Sequence, residues 1–228
     1  MKQKYAPMKR IFVKSLLSIL LLTCAATTFA QREISIGDYL SPTYAPMLIN
    51  KKTDLRASPF LSPDWLVGEV VLDDGKTYQN VKFNYDQSSE SLVIEVNGNT
   101  YVPNRQVKKF TYMDGTDTVI FKNGYLPEGQ TLFQVLYEGN TTLLKHTKKP
   151  KIQREDHFTG NTEINFVPRT DYYLVKDNRL QKVSPTEKGV LGALADKKPA
   201  LKSYVDEHDA NLKDDRVLAN IISYYDSL

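Results

Sequence analysis

From Trp65 the apolar positions fall into short runs separated by turn residues. Leu66–Leu72 is rich in Val and Leu and ends at Asp73-Asp74-Gly75. Tyr78–Tyr85 alternates, with Val81, Phe83 and Tyr85 on one face, which is the period of a half-buried strand. Leu92–Val96 and Thr100–Val102 flank Asn97-Gly98, and Asn-Gly between two β-type runs is a strong short-range hairpin signal. Val107–Met113 leads to Asp114-Gly115, Thr118–Phe121 to Asn123-Gly124, and Leu132–Tyr137 to Glu138-Gly139-Asn140, after which Thr142–Lys145 follows. Such spacing predicts consecutive antiparallel strands, a meander closing into a sandwich or open barrel. Residues 145–157 read as a polar break around Pro150, and Asn165–Val167, Tyr172–Val175 and Leu180–Val183 as further strands.

Beyond residue 183 the period changes from two to between three and four. Ser184-Pro185-Thr186-Glu187 is a helix-start pattern, with Ser184 as the expected cap and Pro185 at the first helical position. Val190, Leu191 and Leu194 form one apolar stripe, and Pro199 opens a second run with Leu201, Tyr204 and Val205. Asp214 or Asp215 caps a third, where Val217, Leu218, Ile221, Ile222 and Tyr225 recur. One-sided helices this short are unstable alone in water, so they must pack on the sheet or on a partner. Formation of an oligomer through this tail is the structural alternative. The expected class is therefore α+β: an antiparallel β domain over residues 65–183 and a helical tail over 184–228, packed on the sheet.

Residues 31–64 carry Pro42, Pro46, Pro59 and Pro63 and no sustained period, which predicts an extended lead segment with a short strand at Glu33–Ile36. Ahead of them, Lys2, Lys4, Lys9, Arg10 and Lys14 precede an uncharged block from Ser15 to Ala30 dense in leucine. Thr28-Phe29-Ala30 places small residues at the −3 and −1 positions of a cleavage site, the layout of a secretory signal peptide over residues 1–30. The block is short for a membrane span, which needs roughly 20 apolar residues. Cys24 follows Thr23 where a lipid-attachment signal favours Gly, Ala or Ser, so cleavage is expected rather than lipid anchoring. The expected address is periplasmic or secreted, with no transmembrane span after cleavage.

Cleavage changes the charge picture. Removing five of the 30 Lys and Arg and none of the 27 Asp and Glu turns a net charge of +3 into −2. The basic character belongs to the leader, and nucleic acid is not an expected partner. The processed chain has no cysteine, which excludes thiolate catalysis and cysteine-based zinc sites from it. His146, His157 and His208 lack metal-type spacing, and no nucleophile elbow or phosphate loop is present. No cofactor and no catalytic residue is assigned. The acidic cluster Asp206, Glu207, His208, Asp209, Asp214 and Asp215 fails the calcium-loop pattern and reads as helix capping and solvated charge. The most pointed feature is the basic run Lys145, His146, Lys148, Lys149, Lys151 and Arg154, a candidate contact for an anionic partner. Its competing reading is a solvated loop whose lysines protect a sheet edge.

Three elements carry a resemblance. They are the strand pair from Gly68-Glu69-Val70-Val71-Leu72 to Lys82-Phe83-Asn84-Tyr85, the run Phe133–Gly139, and the tail with Asp196-Lys197-Lys198, Tyr204 and the closing Tyr224-Tyr225-Asp226-Ser227-Leu228. The chain is similar in these to a family of uncharacterised secreted bacterial envelope proteins. The resemblance implies an address and an architecture and no activity. The expectation is an exported non-enzymatic envelope protein that binds a protein or cell-surface partner, with a cavity lined by aromatic and neutral groups. The alternative is a secreted hydrolase of envelope polymers, which needs two carboxylates roughly 5–10 Å apart across a groove.

Overall fold

The computed structural model describes residues 36–42, 58–126, 129–155 and 162–228. The leader, Cys24, His157 and most of the lead segment lie outside these residues. Of the expected strand at Glu33–Ile36 only Ile36 is described, and it begins a short 3-10 turn, Ile36–Tyr39.

The strands are β1 (Leu40–Pro42), β2 (Leu66–Leu72), β3 (Thr77–Asp86), β4 (Ser91–Val96), β5 (Asn99–Pro103), β6 (Val107–Asp114) and β7 (Asp117–Lys122). They continue as β8 (Phe133–Tyr137), β9 (Thr142–Lys148), β10 (Lys151–Glu155), β11 (Thr162–Phe166), β12 (Arg169–Lys176) and β13 (Arg179–Val183). Eleven of them form one antiparallel sheet in the order β1-β5-β4-β3-β2-β6-β7-β8-β9-β12-β13. The meander read from the turn signals is this sheet. Asn97 and Gly98 both have positive φ, at 53° and 80°, which is the geometry a two-residue hairpin turn demands. Gly68 is required for a different reason. A Cβ there would sit 1.8 Å from the backbone oxygen of Thr111, where β2 shifts register against β3. Only glycine allows the two backbones so close.

The basic run is strand, and this corrects the expected polar break. β9 extends to Lys148, and after Lys149-Pro150 the chain resumes as β10 in unbroken register with the returning arm. Lys148 lies opposite Arg169, and Lys151 opposite Phe166. The long side chains are compatible with strand because alternation sends them to opposite faces.

The sheet has two cores. Over β2, β3, β4, β6 and β7 it curls around an aromatic cluster. Phe110 and Phe121 are directly opposite in register and stack with centroids 4.5 Å apart, and Phe83 and Tyr85 pack against Phe110 at 5.2 and 5.5 Å. Each such buried ring contributes roughly 1.5–3 kcal/mol. The curl brings the β3–β4 turn to the end of β9. There the Lys149 amide donates to the Gln87 carbonyl at 3.0 Å, and Gln87 Nε2 donates to the Thr147 carbonyl at 3.3 Å. Lys149 itself is buried, only 7% exposed, and its ammonium donates to the Phe60 carbonyl.

Over β8, β9, β12 and β13 the other face carries three helices, α1 (Glu187–Ala193), α2 (Lys198–Glu207) and α3 (Asp215–Ser227). Thr186, not Ser184, caps α1, with its hydroxyl accepting from the Gly189 amide at 3.2 Å. Thr186 has the extended backbone a cap needs, and Pro185 stays outside the helix. Asp214 caps α3 by accepting from Arg216 and Val217. Asp215 holds the helix to the sheet, accepting from Lys145 Nζ at 2.5 Å and from the Tyr172 hydroxyl at 2.8 Å. Leu218, Ile221, Ile222 and Tyr225 are buried against Leu143 and Leu174 of the same chain. The apolar stripe that motivated an oligomer is thereby already covered. Among the described residues no helix is long and apolar enough to cross a membrane.

Candidate functional site

Alternation along β9 and β12 separates two chemistries. Leu143, Lys145, Tyr172 and Leu174 face the helices, whereas His146, Lys148, Arg169, Asp171 and Tyr173 face away from them. With Phe133 on β8 these residues shape a cleft of about 400 Å³, which Leu126 and Thr131 complete from the preceding loop. Phe133 is its floor. Its ring is 1% exposed and is fixed by the rings of Tyr125, His146 and Tyr173 at 5.8, 5.2 and 5.5 Å.

Glu90 braces the site from the β3–β4 turn. Its φ of 57° is left-handed, a conformation uncommon outside glycine. This places one carboxylate oxygen 2.7 Å from His146 Nε2, which donates to it, and the other 2.5 Å from Lys148 Nζ. Burial is the largest influence on this carboxyl and pushes its pKa up. The bonds from Lys148 and His146 together outweigh it, so Glu90 is held below the ordinary glutamate value. Glu90 also lines a second cleft of about 370 Å³ with Leu92, Arg105, Gln106, Gln130 and Leu132. It thus lines the second cleft while bonding two residues, His146 and Lys148, that line the first.

The charges of the first cleft can be paired off. Lys148 is answered by Glu90, and Asp171 by Lys182 at 2.8 Å. Arg169 makes no side-chain hydrogen bond or ion pair among the described residues. The lining is more polar than the aromatic and neutral wall expected for a binding cavity. Asp171 is the one acid in the described lining and is matched to Lys182, and Glu90 behind His146 and Lys148 is matched to both, so among the described residues no pair of free carboxylates faces the cleft. No group of three His, Cys, Asp or Glu side chains converges to hold a metal among the described residues.

The six residues of the basic run separate. His146 and Lys148 reach the cleft, Lys145 goes to α3 through Asp215, and Lys149 is buried under Phe60. Lys151 and Arg154 belong to the ribbon of β10 and β11, with Lys151 exposed. Phe133, Arg169, Asp171, Tyr173 and Glu90 were not singled out as site residues in the sequence. The signal available for them was the phase of alternation in β12, where Asp171 and Tyr173 share the face opposite Tyr172 and Leu174. His208 lies far along the chain, stacked on Tyr204 at 4.2 Å, and Tyr204 stacks on Tyr224 at 4.3 Å. The acidic cluster divides into the Asp214 cap, the Asp215 anchor and a surface pair between Asp206 and Lys202. No family model, curated protein or solved structure matches the chain.

Proposed function

We propose that this chain is an exported, non-enzymatic envelope protein that binds a protein or cell-surface partner, and that the partner is engaged at the cleft of β8, β9 and β12. The observation that carries the reading is a preformed concavity with a rigid aromatic floor and a guanidinium at Arg169 that has no partner among the described residues. Concave sites with fixed rings and a few placed polar groups are the usual form of a ligand seat. Support for export comes from the charge and leucine pattern of residues 1–30 and from the likeness to secreted envelope proteins. Of the basic run, His146 and Lys148 line the seat, and exposed Lys151 extends positive charge onto the adjoining ribbon.

Hydrolysis by a carboxylate pair has less support. A general acid must hold its proton near neutral pH, and Glu90 is held ionised by two donors. Asp171 is tied to Lys182.

The test is recovery of the tagged chain from its native envelope, as wild type and as Arg169→Glu, with N-terminal sequencing of both. The expected result is a sequence starting at Gln31 and a companion that travels with wild type and is lost from the variant. Identical companions for both forms would remove the cleft from the proposal. A retained Met1 or Met8 would remove export.

A further inference from the structure

The charge balance and lining of this cleft narrow what it takes. We propose that it seats a short acidic saccharide, with one carboxylate on Arg169 and a ring face against Tyr173; this rests on the binding reading above.

Four observations support the assignment. With Lys148 matched by Glu90 and Asp171 by Lys182, one positive charge remains among the described residues of the cleft, on Arg169. A guanidinium covered by a ligand that offers no anion loses hydration without compensation, so a neutral ligand is disfavoured. A planar carboxylate meets it with two parallel hydrogen bonds. Second, the walls alternate between ring and polar group: the half-buried ring of Tyr173 supplies aromatic surface, with Phe133 buried beside it, and Thr131, His146 and Asp171 supply hydrogen-bonding atoms. A sugar ring has the same mixed character, with apolar C–H faces and hydroxyl edges.

Third, an acyl chain fits poorly. It would cover Asp171, Thr131 and His146 with hydrocarbon and desolvate those of their polar atoms that Lys182 and Glu90 do not already pair. Fourth, inorganic phosphate would reach Arg169 but leave the ring of Tyr173 uncovered. A volume of about 400 Å³ stands at the lower end of the range for small-molecule sites, which suits a short saccharide. The floor is preformed, because Phe133 is held by three neighbouring rings. Little ordering is then left for the ligand to impose.

The experiment is titration calorimetry of the purified chain. The probes are a panel of uronate disaccharides, the matching neutral disaccharides, decanoate and inorganic phosphate. At least one uronate disaccharide is expected to bind about tenfold or more tightly than its neutral counterpart. Arg169→Gln is expected to abolish that difference, Arg169→Lys to restore part of it, and Tyr173→Ala to weaken acidic and neutral sugars alike. Arg169 is exposed, so circular dichroism of its variants should match wild type. Equal binding of acidic and neutral sugars, or an Arg169→Gln chain with unchanged uronate affinity, overturns the assignment. Decanoate or phosphate binding that depends on Arg169, with no uronate binding, overturns the saccharide and leaves the cleft as a binding site. If no probe binds, the saccharide assignment fails, and the envelope recovery with Arg169→Glu separately decides whether the cleft binds at all.

Discussion

Glu90 joins three jobs in one residue: a left-handed turn, a closure of the curled sheet, and a lining of the second cleft. Because its pKa is lowered on folding, its contribution is fully present above the unfolded value of 4.5 and is lost as pH falls through the folded value. Urea titrations of wild type and Glu90→Gln at several pH values should show the difference. The variant is expected to be less stable by about 1.5–3 kcal/mol above pH 4.5, the scale of a hydrogen bond to a charged group. The gap should narrow below that pH, and a constant gap down to strong acid would show that the carboxylate charge is irrelevant. Tyr85 presents the opposite case. Its ring is 1% exposed among Phe110 and Phe121, and its hydroxyl finds no hydrogen-bond partner among the described residues. Burial, followed by the charges of Glu90 and Asp86, pushes the ionisation of that hydroxyl well above the tyrosine norm. Tyr85→Phe removes an unsatisfied group from the core while keeping the ring. The expected change in denaturation midpoint is neutral or upward, by at most about 1 kcal/mol.

The third helix shows how neighbouring acids divide labour along an element. Asp214 satisfies the first amides of α3, and Asp215, one residue on, bonds Lys145 and Tyr172 on the sheet. Burial, then the bond to Asp215, pushes the Tyr172 hydroxyl up to about 12, so it remains a donor at any physiological pH. At the other end Tyr225 donates to Asp196 at 2.7 Å, while the ammonium groups of Lys176 and Lys197 lie over its ring at 5.0 and 4.6 Å. The helix is therefore pinned at both ends as well as by its apolar stripe. Asp214→Ala should cost about 1 kcal/mol in thermal or urea unfolding, the ordinary loss of an N-cap. Because the anchor at Asp215 and the stripe persist, helical circular dichroism at low temperature should stay at the wild-type level. Loss of the α3 signal in this variant would mean that capping, rather than docking, holds the helix.

At the scale of the whole molecule, one sheet couples two cores that share no side chains. Phe83, Tyr85, Phe110 and Phe121 fill the curl, and Leu143, Leu174, Leu201, Leu218, Ile221 and Ile222 fill the space under the helices. The ladders from β6 through β7 and β8 to β9 connect them, with one register shift between Val135 and Tyr137 in β8. Residues 34–228 form one compact unit, which makes cooperative unfolding the expectation. Phe110→Ala should cost about 3–5 kcal/mol and Ile221→Ala about 2–5 kcal/mol. Each should lower a single transition seen equally in the β and helical circular dichroism signals. A separate, earlier loss of helix in Ile221→Ala would show that the helical layer melts independently of the curl.

Periodicity and turn chemistry determined most of the architecture, because both act over a few residues. Asn97-Gly98 fixed a hairpin, the alternation of Tyr78–Tyr85 fixed a buried face, and the spacing of Leu218, Ile221, Ile222 and Tyr225 fixed a one-sided helix. A run of lysines carries no such periodic signature, so residues 145–151 read as a loop although they form a strand and the start of another. The cap at Thr186 was misplaced by two residues because Ser184 and Thr186 offer the same chemistry, and only the backbone path around Pro185 distinguishes them. The cleft was decided entirely by tertiary structure. Glu90 meets His146 only because the sheet curls, and Phe133, Arg169 and Tyr173 come together only because β8, β9 and β12 are neighbours in the strand order. Local sequence sets which face of a strand a side chain occupies. Which distant strand lies beside it is set by the lowest free energy of the folded chain as a whole.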